Sequence, residues 1–233
     1  MISQHVHAVR RRLEAAAHRA QSPTVPTLIA VSKTFPAGDV REAAAAGQRD
    51  FGENRVQEGL DKAAATADLG LTWHLIGHLQ TNKARKAAAA FQWIHSIDSL
   101  DLLRKVDAGA AEAGTSPNLL LQVDLAGEET KFGAPPEALR ALAAAALELK
   151  AARLRGLMII PPAVDDPNDA RPWFRRLRDV RNQLVSDGIP AEALRELSMG
   201  MSHDFEVAIE EGATMVRVGT AIFGARQTIR PAA

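Results

Sequence analysis

Residues 27–32 (TLIAVS) form a short apolar run, and this run decides how the rest of the chain is interpreted. Pro36 follows it, then the Ala-rich segment 37–46, and then Gly47. A short aliphatic run favours a buried strand, whereas a proline before and a glycine after the next segment are typical of the two ends of a helix. This stretch therefore predicts one strand followed by one helix.

The same strand–helix unit recurs along the chain. Further strands are predicted at residues 50–52, 73–77, 93–97, 119–124, 154–160, 196–199 and 215–219. Helices are predicted at residues 2–20, 55–67, 80–89, 100–113, 136–152, 168–186 and 204–211. Regular alternation favours a parallel sheet, and eight strands favour a closed (β/α)8 TIM barrel, which we expect to form one domain over residues 1–233. A doubly wound open sheet is the alternative, although no strand is followed by a G-x-G-x-x-G turn.

The composition of the 233 residues excludes several classes of function. The 28 Lys and Arg residues balance the 28 Asp and Glu residues, which argues against nucleic-acid binding. Cysteine is absent, so disulfides, thiolate catalysis and cysteine zinc sites are excluded, and the seven histidines show no metal-ligand spacing. No apolar run approaches the ~20 residues of a membrane span. We expect a cytoplasmic protein, with an organellar transit peptide as the alternative for the Arg-rich start.

The ends of the first and the last two predicted strands carry the side chains of interest. Active groups of a barrel of this kind lie at the carboxyl ends of its strands. The first strand leads into Lys33, which is either a solvated rim residue or an amine nucleophile. The last two lead into residues 198–202 (SMGMS) and 219–224 (GTAIFG), whose hydroxyls and backbone N–H groups suit a phosphate. The alternative for Ser202 is that it caps the following helix.

Barrel closure would bring these strand ends together, because the eighth strand then neighbours the first. Lys33 and the turn at Gly219 would share one mouth of the barrel. A ligand with an aldehyde at one end and a phosphate at the other could bridge them. Pyridoxal 5′-phosphate (PLP) and an aldolase-type phosphosugar both have this chemistry, and the residues leave both open.

Motifs spread from the first strand to the last resemble those of the pyridoxal phosphate homeostasis protein family. They lie at residues 30–34 (AVSKT), 51–54 (FGEN), 57–58 (QE), 73–80 (WHLIGHLQ), 82–83 (NK), 154–158 (LRGLM), 197–202 (LSMGMS) and 215–226 (MVRVGTAIFGAR). The resemblance implies a single barrel related to the N-terminal domain of alanine racemases. It also implies PLP binding through a lysine, with no settled catalytic reaction.

The resemblance also assigns residues, all to PLP binding and none to catalysis. Lys33 becomes the Schiff-base lysine, Asn54 lies near the cofactor, and Arg217 faces the pyridine nitrogen. The phosphate is bound by Ser198, Ser202, Gly219 and Thr220. Because a guanidinium does not give up its proton, Arg217 would leave the ring nitrogen unprotonated, which favours holding the cofactor over carbanion chemistry. A surface ion pair is the alternative for Arg217.

The sequence gives weaker indications of function for the histidines and the remaining lysines. His78 stands where many relatives have proline, so both cofactor contact and a rim position are open. His74 and His95 lie inside predicted strands and are expected to be hydrogen-bonded core residues. Lys83, Lys131 and Lys150 stay open as secondary PLP-accepting amines.

Three functions are compatible with these residues. Racemases related to the family use a lysine and a tyrosine from an added domain, whereas this sequence has no tyrosine and ends after the eighth unit. We therefore favour a PLP carrier, a monomer or weak homodimer, with PLP-dependent apoenzymes as candidate partners. A small PLP racemase or Schiff-base aldolase is the second hypothesis. The third is a regulatory protein that uses the basic segment 82–86 (NKARK) against an anionic partner.

Overall fold

Strands and helices alternate throughout the computed structural model, which describes residues 1–127 and 132–225. The strands are β1 (Thr27–Val31), β2 (Asp50–Glu53), β3 (Thr72–Leu75), β4 (Trp93–Ile97), β5 (Asn118–Gln122), β6 (Arg153–Met158), β7 (Glu196–Met201) and β8 (Met215–Val218). The helices are α1 (Ile2–Arg19), α2 (Ala37–Ala45), α3 (Val56–Ala65), α4 (Ala84–Ala90), α5 (Leu100–Ala113), α6 (Leu139–Leu147), α7 (Arg171–Ser186), α8 (Phe205–Glu210) and α9 (Thr220–Phe223).

The strands pair in parallel in sequence order, and β8 pairs with β1 to close the barrel. The closing register runs from Thr27 opposite Met215 to Ala30 opposite Val218. The predicted barrel is therefore confirmed, and the open doubly wound sheet is wrong. Among the described residues, no helix has the length and apolar character to cross a membrane.

Two hydrophobic layers hold the barrel. Alternate strand residues face inward, where Ile29, Leu120, Met158 and Met215 form an apolar cluster against Trp93. The opposite strand faces pack against the helices in a larger core. Strand residues are thus buried on both faces, which explains why the strands read as continuous apolar runs.

Helix α1 joins the first and last parts of the chain. Its residues Val6, Val9 and Leu13 are buried. On its polar side, Arg12 forms a 3.0 Å ion pair with Glu206 of α8, and the His5 ring lies 2.9 Å from the carbonyl oxygen of Ile222 in α9. The N-terminal helix therefore covers the seam where the barrel closes.

The largest difference from the predicted elements is at the sixth helix, predicted over residues 136–152. Residues Pro136–Ala138 form a 3₁₀ turn, and α6 ends at Leu147. The Asp107 carboxylate of α5 accepts hydrogen bonds from the backbone N–H groups of Lys150, Ala151 and Ala152. These N–H groups therefore have a partner outside the helix, and the chain turns toward β6 early.

Candidate functional site

A cavity of about 300 Å³ opens at the carboxyl-terminal end of the barrel. Strand alternation explains its lining, because side chains two residues apart, such as those of Ile29, Val31 and Lys33, share the inward face. Six of the seven predicted site residues line it: Lys33, Asn54, Ser202, Arg217, Gly219 and Thr220. Apolar side chains of Val31, Phe35, Ile76, Ile160 and Met201 complete much of the wall.

A buried charged cluster stands next to the first strand end. The Lys62 Nζ atom of α3 lies 2.7 Å from Glu53 Oε1 and 2.8 Å from Glu58 Oε1. The Lys62 side chain is 8% exposed and that of Glu53 is fully buried, so the pair is shielded from solvent. We call Glu53, Glu58 and Lys62 the Lys62 cluster.

The Lys62 cluster holds the residues on both sides of Lys33. The Ser32 hydroxyl donates to Glu53 Oε1 at 2.6 Å, and Lys62 Nζ donates to the Ser32 carbonyl oxygen at 2.7 Å. The Thr34 N–H donates to Glu58 Oε1 at 2.6 Å, and Thr34 has φ +70°, a left-handed conformation that is unfavourable for a β-branched residue. The cluster thus stabilises the sharp turn that carries Lys33 at the barrel mouth.

The pKa values of the two carboxyl groups in the Lys62 cluster shift in opposite directions. Burial raises the pKa of Glu53, although the hydrogen bonds from Lys62 and Ser32 oppose the shift. Burial also acts to raise the pKa of Glu58, but hydrogen bonds from Lys62 and the Thr34 N–H outweigh it and lower the pKa. Sequence analysis did not assign these residues, although Glu58 and Lys62 have the i, i+4 spacing of a helical ion pair.

Ser202 is the acceptor at the centre of the predicted phosphate site. Its Oγ accepts from the Gly219 N–H at 3.1 Å and from the Ala221 N–H at 3.4 Å, and Thr220 Oγ1 lies 3.4 Å away. The alternative that Ser202 caps the next helix is wrong, since the residue preceding α8 is Asp204. Two backbone donors and two hydroxyls therefore meet at one point of the cavity wall.

Arg217 is buried in the wall, with 4% of its surface exposed. Its Nη1 donates to Ser198 Oγ at 2.7 Å and its Nη2 donates to the Ile159 carbonyl oxygen at 2.8 Å. Burial lowers the pKa of Arg217 to about 10, so the guanidinium is still a cation at neutral pH. The alternative for Arg217, a surface ion pair, is therefore wrong.

Ser198 is the predicted site residue that does not line the cavity. Its side chain is fully buried, and its hydroxyl contacts Arg217 and, at 2.9 Å, His95 Nδ1. The structure thus places Ser198 as a partner of Arg217, outside the cavity lining, and its contact with the phosphate stays a prediction. Sequence reasoning missed the contact between Ser198 and Arg217 because it could not tell which way each strand residue points.

The histidines occupy two environments. His74 and His95 are fully buried and bonded to each other, as expected of core histidines. The His78 ring stacks on Phe132 at 3.5 Å, and its Nδ1 lies 3.8 Å from Asp98 Oδ2. His78 lines a neighbouring cavity instead of the one that contains Lys33.

Two other lysines considered above, Lys83 and Lys150, do not line the cavity. Lys83 and Lys150 are exposed, and Lys131 lies outside the described residues. In the basic segment 82–86, Arg85 forms a 3.1 Å ion pair with Glu112, so part of its charge is neutralised within the chain.

Comparison with known proteins identifies the family. The family model for the alanine racemase N-terminal domain matches residues 4–227. A pyridoxal phosphate homeostasis protein of Pseudomonas aeruginosa is 48% identical over 233 residues, which cover 99% of this chain and 98% of that protein. The chain belongs to the pyridoxal phosphate homeostasis protein family. A second member, from Aquifex aeolicus, is 45% identical and covers 94% of this chain and 96% of its own.

Solved structures agree with this membership. PipY of Synechococcus elongatus, determined with PLP bound, is 45% identical, with a TM-score of 0.83 over 96% of this chain and 100% of that chain. The structure of PipY without PLP gives a TM-score of 0.87. D-threonine aldolase from Filomicrobium marinum, at 19% identity and a TM-score of 0.70, shares the fold alone. The family resemblance predicted from the motifs is confirmed.

The Lys62 cluster gives the first prediction. Lys62→Met leaves the buried Glu53 carboxylate without its cationic partner, and we expect a loss of about 3–5 kcal/mol in the free energy of unfolding, measured with urea. Lys105→Met is the matched control, because Lys105 pairs with Asp101 at the same i, i+4 spacing but on the surface. That control should lose under about 1 kcal/mol. Equal losses in the two variants would contradict a supporting role for the cluster.

Proposed function

We propose that this chain binds PLP reversibly in the barrel-mouth cavity, with Lys33 as the covalent attachment point, and acts in PLP homeostasis. The observation that carries the proposal is the grouping of one amine, one buried guanidinium and a cluster of hydroxyl and N–H donors around a single cavity. Membership of a family in which PipY was solved with PLP bound supports the same ligand.

The cavity residues fit the parts of PLP. When bound, PLP supplies an aldehyde that condenses reversibly with a lysine amine and releases water. Ser202, Gly219 and Thr220 present donors suited to a phosphate, and the apolar wall suits an aromatic ring. Asn54 Oδ1 is buried and lacks a hydrogen-bond partner among the described residues, so a ligand hydroxyl would satisfy it.

Arg217 favours holding the cofactor over activating it. Two of its five N–H donors are engaged by Ser198 and Ile159, and the residue lines the cavity, so we assign its other donors to the ligand. Because the guanidinium keeps its proton, it can donate to a ring nitrogen but cannot protonate it. An unprotonated ring withdraws electrons weakly, and this suits a carrier better than a racemase.

The residues available as catalytic bases also favour a carrier over a racemase. The sequence contains no tyrosine to serve with Lys33 as a second base. His203 lines the cavity, and its Nε2 lies 2.9 Å from the Asp165 carbonyl oxygen. A racemase mechanism on this chain would have to use such a histidine, so we place catalysis second to a carrier function.

The attachment point is tested by reduction and mapping. Borohydride treatment of the PLP-loaded protein should add one pyridoxyl group, which peptide mapping locates on Lys33. Lys33→Arg should abolish this label, whereas Lys150→Arg, which changes an exposed lysine, should retain it. A label on another lysine in the wild-type protein would refute the assignment.

The phosphate contact is tested by comparing two forms of the vitamin. Ser202→Ala should raise the dissociation constant of PLP roughly tenfold, the effect of losing one hydrogen bond to a charged group. Its effect on pyridoxal, which lacks the phosphate, should be small. Ser116→Ala is the control, because that hydroxyl donates to the Ala151 carbonyl oxygen away from the cavity. Equal weakening of PLP and pyridoxal would show that Ser202 does not contact the phosphate.

Delivery to PLP-dependent apoenzymes is the finer part of the proposal. The loaded protein should activate an apoenzyme even when a phosphatase destroys free PLP, because the cofactor would pass within a complex of the two proteins. Free PLP at the same concentration should fail under these conditions. If the loaded protein fails as well, it buffers PLP without delivering it.

A further inference from the structure

A chain of hydrogen bonds crosses the barrel interior from one end to the other. We call its members the relay: Asp50, His74, His95, Ser198 and Arg217. His74 Nε2 lies 3.0 Å from Asp50 Oδ1, His74 Nδ1 lies 3.1 Å from His95 Nε2, and His95 Nδ1 lies 2.9 Å from Ser198 Oγ. Arg217 Nη1, 2.7 Å from the same Ser198 Oγ, completes it.

The two ends of the relay determine its direction. An ionised carboxylate only accepts and a guanidinium only donates. His74 Nε2–H therefore donates to Asp50, and His74 Nδ1 accepts from His95 Nε2–H. His95 Nδ1 in turn accepts the Ser198 hydroxyl proton, which leaves lone pairs of Ser198 Oγ for Arg217. Each link thus donates toward Asp50, and both imidazoles must carry their proton on Nε2.

Burial keeps both imidazoles of the relay neutral, as the direction of donation requires. His74, His95 and Ser198 are fully buried. Burial lowers the pKa of His74, against the influence of Asp50. Burial also lowers the pKa of His95, and the Arg217 cation acts in the same direction. Both rings are neutral at neutral pH, so each has the one donor and one acceptor that the relay needs.

We propose that Asp50, at the opposite end of the barrel from the cavity, fixes the tautomers of His74 and His95 and thereby orients Arg217. Asp50, His74 and His95 are then positioning residues. The part of this inference that concerns ligand affinity rests on the proposed function, whereas the tautomers belong to the protein alone.

Donation in the opposite direction along the relay would leave polar groups without hydrogen-bond partners. If each imidazole carried its proton on Nδ1, His95 would donate to Ser198 Oγ, as Arg217 already does. The Ser198 hydroxyl proton would then lose its acceptor in the relay, and His74 Nε2 would face the Asp50 carboxylate without a proton between them. A buried donor without a partner is costly, and so is a nitrogen lone pair that faces a carboxylate, so Asp50 selects one direction for the three links that could reverse.

The test begins with histidine ¹⁵N NMR of the ligand-free protein at neutral pH. His74 and His95 should both be Nε2–H tautomers in the wild type, and an Nδ1–H tautomer at either position would overturn the relay. In Asp50→Ala, the two rings should show mixed tautomers, and the dissociation constant of PLP should rise about tenfold. Unchanged tautomers in Asp50→Ala would show that Asp50 does not fix the tautomers of His74 and His95.

Two further variants separate the relay from a general loss of structure. Asp50→Asn keeps an oxygen acceptor and should retain the wild-type tautomers and affinity; loss of both would overturn the role of the acceptor. Glu196→Ala removes a carboxylate from the first position of β7, outside the relay, and should leave the tautomers unchanged. If the wild-type protein shows the tautomers but no PLP binding, the proposed function fails and the relay stands.

Discussion

Pairing of β8 with β1 is the constraint on which the site depends. It brings Ile29 opposite Arg217 and Ala30 opposite Val218, although these residues lie far apart in the sequence. The chain after β1 then carries Lys33, and the chain after β8 carries Gly219, to the same cavity. If the same strand order did not close, these two strands would lie at opposite edges of the sheet, and no single ligand could reach both.

Two separate polar networks hold the groups that barrel closure brings together. The Lys62 cluster fixes the residues on either side of Lys33. The relay fixes Arg217 from within the barrel. Each network buries charged or polar groups, which is costly without partners, and each supplies those partners from neighbouring elements. The backbone on either side of Lys33 and the guanidinium of Arg217 are therefore held by the protein itself.

The sequence was informative about elements and strand ends because these depend on local patterns. The strand over residues 93–97 and the helix over residues 100–113 have their predicted bounds. Lys33 and Gly219 were predicted to meet because barrel closure brings the carboxyl ends of the first and last strands together, whereas Arg217 was assigned to the site by the family resemblance. The grouping of Lys33 with Gly219 required only the order of the strands.

Contacts between segments far apart in the sequence could not be predicted from local patterns. The early end of α6 depends on Asp107 of α5, and the position of Ser198 depends on which face of β7 it occupies. Strands that are apolar on both faces give no alternation from which to infer that face. The Lys62 cluster and the relay each join side chains from several strands and helices, so they emerged only from the three-dimensional arrangement.

The most direct test of this account is a crystal structure of the protein with PLP. The account predicts continuous density from Lys33 Nζ to the cofactor, with the phosphate at Ser202, Gly219 and Thr220 and the ring nitrogen facing Arg217. A cofactor bound elsewhere, or a Lys33 side chain directed away from the barrel interior, would contradict it.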